Sequence, residues 1–313
     1  MKHLSHLGVL IPPPYQPRGL HIKIKDQTII LTPHQEEMAV AWVKKLGTDY
    51  VKDPVFIKNF FQDFTQALGK TDEPLKPEDI GFTEIIAIVE REKLAKATMT
   101  KEEKRRQAQE RKAIREENKQ KYGHAIVDGV QTELGNYMVE PPSIFMGRGE
   151  HPMRGRWKPA VNQQDITLNI SPDAPKPPGN WKEIVWQPNS MWIAKWDDPL
   201  RGREKYIWLA DSSQAKQQKE IDKFNKAKEL ANKIDTLQNY IKANLQSPDL
   251  KTRKTATVTY LIEELKLRVG DEKDPDEADT VGATTLRPSH ITINAKNKVT
   301  FDFLGKDSVR WQK

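Results

Sequence analysis

The sequence predicts an α+β protein of two or three domains. Three observations carry that expectation: a helix-rich first third, a tryptophan-dense middle of short apolar runs, and helices followed by short strands at the end. With 313 residues the chain is long enough to bury substantial cores. Hydrophobic residues make up 36%, charged residues 30% and aromatic residues 8%, a composition of folded domains carrying extended charged segments rather than of a disordered chain.

The opening is extended, because Pro12, Pro13, Pro14 and Pro17 withhold backbone donors and push their neighbours out of helical conformation. Residues 20 to 31 alternate as a short hairpin around Lys25-Asp26. Thr32 then caps a helix, with Pro33 at its first position and Glu36 and Glu37 in its first turn. Met38, Val40, Ala41, Trp42 and Leu46 form its apolar face up to Gly47. A second helix is expected from about Asp53 to Leu68, packing Phe56, Phe60, Phe61 and Phe64 into a core. From Ile80 to Tyr122 the pattern is helical almost without interruption, and between Arg91 and Lys121 it carries twelve basic and six acidic residues. That stretch reads as a solvated helix held by i,i+4 ion pairs or as a positively charged arm facing nucleic acid, and the two readings are compatible.

Between Tyr122 and Leu209 short apolar runs alternate with Pro and Gly: 125 to 127, 166 to 170, 181 to 186, 192 to 196 and 206 to 209. This predicts a mostly β domain with residues 172 to 179 as a surface connection. Six of the eight tryptophans lie here, which points first to core packing and only secondarily to base stacking. Lys216 to Leu245 reads as a charged amphipathic helix. Ser247-Pro248-Asp249 opens another that runs to about Val269, and strands follow at 286 to 293 and 299 to 303. The last strand stands without a hairpin partner in this reading.

Net charge is +7, yet residues 271 to 279 alone hold six carboxylates and one lysine, so the remainder of the chain is more basic than the total suggests. A basic body with one acidic loop suits a polyanionic partner, because phosphate contacts release condensed counterions. The absence of cysteine excludes disulfides, thiolate nucleophiles and thiolate metal sites. No apolar run is long enough to span a bilayer and the first residues lack a signal peptide's apolar region, so no membrane partner is expected and the location expected is cytoplasmic or chromosome-associated. His21, His34, His124, His151 and His290 show no metal-ligand spacing, and no two-metal carboxylate pattern or Ser-His-Asp arrangement stands out.

Three places concentrate groups suited to phosphate chemistry. In Phe145 to Arg156, glycines permit close backbone approach while Arg148, Arg154 and Arg156 offer planar donor forks; the spacing is not that of a nucleotide-binding phosphate loop. Leu261, Leu265 and Arg268 fall at i, i+4 and i+7, so Arg268 either snorkels at a helix end or points into a cleft. Lys306 comes directly after a strand and Gly305, a place suited to a hairpin tip. There it is an ordinary turn lysine, or one that reaches a DNA groove and delivers a proton, with Asp307 orienting it.

Taken together, several segments resemble the eukaryotic-type family of type IB DNA topoisomerases. They are the Pro-rich opening through Tyr15, the Phe-rich 56 to 64, Lys101-Glu102-Glu103-Lys104, Glu140-Pro141-Pro142, 145 to 155, Lys205-Tyr206, Leu267-Arg268, Ala278-Asp279-Thr280-Val281-Gly282 and 301 to 310. The resemblance implies an α+β multidomain clamp around duplex DNA. Residues 1–19 with 106–212 would form a mostly β core subdomain I, 20–105 the cap subdomain II, and 213–313 a partial, α-rich catalytic subdomain III with a small antiparallel sheet. It also implies relaxation of supercoiled DNA by single-strand cleavage through a 3′-phosphotyrosyl link, controlled rotation and religation, without ATP or an essential metal.

By the same resemblance, Arg268 matches the first catalytic arginine, Lys306 the catalytic lysine and general acid, and Asp307 the acid that supports it. Arg148 and Lys205 match DNA-contacting residues. Met146 and Met153 stand where relatives carry basic residues. The second catalytic arginine, the catalytic histidine and the nucleophilic tyrosine fall outside the matched segments, and Tyr15, Tyr50, Tyr122, Tyr137, Tyr206, Tyr240 and Tyr260 align with other regions. The chain is therefore expected to be inactive alone, completed by a C-terminal portion or by a complementary small subunit, and nuclear if eukaryotic. The alternatives are a non-catalytic, architectural DNA clamp and, more distantly, a tyrosine recombinase relative.

Overall fold

The computed structural model of the chain describes every residue except 26, 71, 72, 273–276 and 297, and at 215 the backbone only. The described residues form two compact units, Met1–Phe145 with Gly155–Gln217, and Met146–Arg154 with Gln218–Lys313.

In the first unit, β1 (Leu4–Ser5) precedes the proline-rich stretch, and β2 (His21–Ile24) pairs antiparallel with β3 (Gln27–Ile30), His21 opposite Ile30. The expected hairpin is present, although Asp26 at its tip lies outside the described residues. Helix α1 (Pro33–Val43) starts as the sequence implied, and its cap is reciprocal: Gln35 N–H donates to Thr32 Oγ1 and Thr32 N–H to Gln35 Oε1. Glu36 does more than favour the helix start. Its buried carboxylate accepts from Tyr15 Oη at 2.7 Å and from the N–H groups of Arg18 and Leu20, both at 2.9 Å, pinning the incoming chain to α1. Burial alone would raise its pKa, but these bonds and the Arg18 charge hold it below the usual range.

Asp53 caps α2 (Pro54–Ala67) through Val55 and Phe56 N–H. As expected, Phe56, Phe60, Phe61 and Phe64 are buried, and Trp42 stacks 4.7 Å from Phe60. Each ring removed from water contributes about 2–3 kcal/mol. Strand β4 (Ile80–Gly81) joins β2, after which the chain corrects one expectation: the predicted continuous helix is two, α3 (Thr83–Thr98) and α4 (Lys101–Tyr122). The cause is local. Thr100 and Glu103 form a second capping box, with Glu103 N–H to Thr100 Oγ1 at 3.2 Å and Thr100 N–H to Glu103 Oε2 at 2.8 Å, which satisfies helix-start donors and makes a fresh N-terminus cheaper than continuation. No residue of α4 is buried.

The mostly β region then forms as predicted. Strands β5 (His124–Val127) and β6 (Val130–Glu133) complete a sheet with β1, and β7 (Ser143–Ile144) pairs with β8 (Trp157–Lys158). The strands β9 (Thr167–Asn169), β10 (Glu183–Val185), β11 (Trp192–Asp197) and β12 (Glu204–Trp208) are ordered β10-β9-β11-β12, antiparallel except for β9–β10. Their inner faces pack Ile166, Leu168, Ile193 and Ile207 with Leu4 and Val9. Trp157, Trp192 and Trp196 are buried as core, whereas Trp208 is exposed.

Helix α5 (Gln214–Ala231) leads from the first unit into the second, where α6 (Ile234–Asn244) packs on α7 (Leu250–Leu265). The single helix predicted from 216 to 245 is thus interrupted: at Asn232-Lys233 the helical ladder gives way to a tighter bond from Lys233 N–H to Leu230 O at 2.9 Å. A third correction follows at α7, which ends at Leu265 because Lys266 turns left-handed (φ 57°), so Arg268 is not on the helix. A fourth concerns the terminal sheet. Pro288, lacking an N–H, starts a 3₁₀ turn, so β13 (Ile291–Ile293) begins five residues later than expected. Strand β14 (Val299–Leu304) lies between β13 and β15 (Arg310–Gln312), so the strand that the sequence left without a hairpin partner has one. Leu267, Val281, Ala283 and Phe303 form the core under this sheet.

One buried histidine makes the first unit acid-sensitive. His6 donates from Nε2 to Asn169 O at 3.0 Å and accepts Gly8 N–H at Nδ1, and burial pulls its pKa down to about 4 against those bonds. The unfolded chain binds this proton near pH ~6.5 while the folded chain resists it, so stability is complete above that pH and falls as pH drops toward 4, by on the order of 2–3 kcal/mol. Urea denaturation of the wild type is expected to show this loss between about pH 6.5 and 4, and His6→Gln to flatten the profile in that window.

Candidate nucleic-acid interface and catalytic positions

In the second unit, Arg268 and Lys306 are joined by backbone. Val281 N–H donates to Leu304 O at 2.8 Å and Ala283 N–H to Arg268 O at 2.8 Å, so one extended segment ties the chain at Arg268 to the end of β14. Leu267 and Phe303 meet in the core beneath it. Gly282, between the two donors, is required by space: a Cβ there would lie 2.5 Å from Gly270 N and Cα and 2.9 Å from Arg268 O. Lys306 occupies the β14–β15 turn, as its sequence position implied. Arg268 and Lys306 are both exposed, and neither side chain has an ion-pair or hydrogen-bond partner among the described residues. Two uncompensated cations on one backbone frame are suited to an incoming anion.

The loop 146–154 belongs to this unit and lies against the same turn. Arg148 pairs with Asp307, and Ser308 Oγ lies 3.4 Å from Arg148 O. Gly149 (φ +56°) approaches so closely that a Cβ would sit 2.5 Å from Ser308 Cβ, while Asp307 and Ser308 are themselves left-handed at φ 62° and 60°. Asp307 therefore has Arg148 as its ion-pair partner. Arg154 donates from Nη1 to His151 O at 2.9 Å.

The remaining predicted contacts lie in the first unit. Arg156 is engaged within it, with Nη2 2.9 Å from Asp63 Oδ1, while Asp63 also accepts Trp157 N–H at 2.7 Å. Burial raises the Asp63 pKa despite both contacts. Lys205 on β12 reaches Glu140 Oε2 at 2.6 Å and Asp198 Oδ2 at 3.3 Å. Lys158, buried on β8, contacts the same Glu140 oxygen. Sequence reasoning missed Lys158, Asp198 and the Asp63 anchor, because nothing in their spacing announces that distant hairpins meet; Glu140 was visible only within its Glu-Pro-Pro motif. The acidic 271 to 279 stretch falls largely outside the described residues, at 273–276. Among the described residues, no three His, Asp or Glu side chains gather as a metal site requires.

With this geometry in place, comparison with known proteins assigns the chain. The family profile described as "Eukaryotic DNA topoisomerase I, DNA binding fragment" matches residues 1–209, and "Eukaryotic DNA topoisomerase I, catalytic core" matches 212–313. The chain belongs to the eukaryotic DNA topoisomerase I family. It is 42% identical to DNA topoisomerase 1 beta of Arabidopsis thaliana over 99% of this chain and 34% of the relative. Against DNA topoisomerase 1 of Candidozyma auris it is 38% identical (98% of this chain, 42% of the relative), and against DNA topoisomerase 1 of Homo sapiens 34% (99% and 42%). The chain thus spans well under half the length of these relatives.

The Gly282 contact generates a test. Gly282→Ala has backbone rather than flexible side chain to displace, so it is expected to destabilise the second unit by about 1–3 kcal/mol, read as a lower unfolding midpoint by circular dichroism. Ala283→Gly, which keeps the donor and deletes only a methyl, is expected to cost about 1 kcal/mol.

Proposed function

We propose that this chain is the DNA-binding part and the beginning of the catalytic part of a type IB DNA topoisomerase, which relaxes supercoiled duplex DNA through a transient 3′-phosphotyrosyl link, rotation and religation. The observation that carries the reading is the pair of cations without a partner among the described residues, Arg268 and Lys306, held on one backbone frame within a chain matched along nearly its whole length by that family. In this reading residues 1–19 with 106–212, 20–105 and 213–313 are core subdomain I, cap subdomain II and partial catalytic subdomain III of a DNA clamp. The exposed α4 serves as a positively charged arm. The compartment is the one that holds chromosomal DNA, and no described helix is long and apolar enough to cross a membrane.

The chemistry assigned to these residues is phosphoryl transfer. As a tyrosine oxygen attacks the phosphorus, negative charge builds on the nonbridging oxygens and on the departing 5′ oxygen. Arg268 donates to a nonbridging oxygen, and Lys306 transfers a proton to the 5′ oxygen as its bond to phosphorus breaks. Arg148, Arg154, Arg156 and Lys205 grip the backbone, with little demand on base sequence. Asp307, paired with Arg148, holds the Lys306 turn. The tyrosine nucleophile, a second arginine and a histidine come from outside these 313 residues. The reading assigns no role to ATP or to a metal.

Two measurements test it. The 313-residue chain is expected to bind duplex DNA with a steep salt dependence and no relaxing activity; metal-free relaxation by the purified chain would sink the claim that its catalytic set is incomplete, and salt-insensitive binding would remove the clamp. In the protein completed by its remaining catalytic residues, Arg268→Ala and Lys306→Ala are each expected to lower strand cleavage by about 100-fold or more while changing duplex affinity far less. Equal losses would make both residues docking contacts only, and cleavage absent from the completed wild type would favour an architectural clamp.

A further inference from the structure

Where the β7–β8 and β11–β12 hairpins meet, three cations share two carboxylates. Glu140, in the segment before β7, offers one oxygen, Oε2, to both Lys158 on β8 and Lys205 on β12. Asp198, at the end of β11 and only 3% exposed, accepts from Lys205 at 3.3 Å and lies 3.5 Å from Arg201 Nε. The exposures are graded: the Lys158 side chain is 8% exposed, Lys205 23% and Glu140 46%. The cluster therefore carries one surplus positive charge, its inner lysine is nearly shielded from solvent, and its outer lysine and the shared carboxylate are more open to it.

We propose that Lys158 is a positioning residue that sets the charge presented by Lys205 to a DNA phosphate, by competing with Lys205 for the Glu140 carboxylate. The proposal rests on the DNA-binding reading above. While Lys158 is an ammonium, Glu140 is shared and Asp198 is divided between Lys205 and Arg201, so Lys205 keeps donor capacity for a phosphate oxygen. When Lys158 releases its proton to solvent, it no longer competes for Glu140 as a cation. Glu140 then turns wholly to Lys205, and the cluster drops from one net positive charge to none. Lys158 does not itself touch DNA; it acts through the carboxylate between the two lysines.

Two facts place this exchange within reach. Burial, and after it the neighbouring Lys205 and Arg201 charges, bring the Lys158 pKa down to about 8, with Asp198 opposing them. Asp198 stays ionised throughout: burial alone would raise it, but Leu200 N–H and Lys205 keep its pKa below the usual range. The charged groups facing Lys158 are thus Glu140 from the segment before β7, Lys205 from β12, and Asp198 and Arg201 from the β11–β12 turn. An ordinary lysine would remain charged across the same interval.

The experiment is the affinity of the 313-residue chain for a short fluorescein-labelled duplex, followed by anisotropy at constant ionic strength from about pH 7 to pH 9. Wild type is expected to weaken roughly three- to tenfold across that range and to lose about one unit of salt slope. Lys158→Arg, which stays charged, is expected to hold the pH 7 affinity throughout; Lys158→Met is expected to show the weak, pH-independent binding of the deprotonated state. Glu140→Gln removes the competing charge and is expected to bind more tightly than wild type at pH 9, so Lys158→Arg and Glu140→Gln decide the matter whether or not Lys158→Met folds. A wild-type profile that is flat while binding remains salt-dependent overturns the proposal and leaves the DNA reading standing. A Lys158→Arg profile parallel to wild type also overturns it, by assigning the titration to another group. Absence of salt-dependent binding at every pH overturns the DNA reading itself, and the proposal with it.

Discussion

Two backbone hydrogen bonds, from Val281 to Leu304 and from Ala283 to Arg268, decide whether the second unit can have a site at all. Each is worth about 1 kcal/mol net, but their consequence is geometric rather than energetic. Arg268 follows a helix that has already ended, and Lys306 sits in a turn; neither position is fixed by its own secondary structure. The extended segment between the two bonds supplies the constraint, the Leu267–Phe303 core seals it, and Gly282 is the residue small enough to let the strands of chain approach.

The fate of each cation depends on what the fold sets beside it. Arg156 pairs with Asp63, whose carboxylate also accepts the Trp157 N–H, and Arg148 pairs with Asp307. Lys205 and Lys158 divide a carboxylate between them. Arg268 and Lys306 have no such partner among the described residues. A residue of the same type in the same kind of motif thus meets a phosphate either with a carboxylate already beside it or without one. The distinction is not one of burial, since the paired Arg148 side chain is 72% exposed; it follows from which carboxylates the tertiary fold brings beside each cation.

Where periodicity was read as length, the structure shortened it. The helices expected over 80 to 122 and 216 to 245 are each broken, once by the Thr100–Glu103 capping box and once at Asn232-Lys233. The Thr-x-x-Glu spacing was present in the sequence and would have located the first break. The end of α7 carried no comparable sign, because a left-handed lysine at 266 has no residue preference behind it; its conformation serves the packing of Leu267. Strand β15 escaped notice since Arg310–Gln312 is three residues long with a single apolar position, Trp311, whose stacking on Phe303 appears only once β15 pairs with β14.

By itself the sequence determined the inventory: the capped helices α1 and α2 with their phenylalanine face, the tryptophan-rich β region, the basic surplus, and the residue types suited to phosphate chemistry at 148, 268 and 306. These follow from short-range causes, since a cap, a hydrophobic period or a glycine turn is satisfied by neighbours within a few residues. Only the tertiary structure decided which charges have a carboxylate beside them, and which turn faces which loop. The Arg148–Asp307 pair and the shared Glu140 oxygen join residues 159 and 65 positions apart in the chain, and no local rule reaches that far.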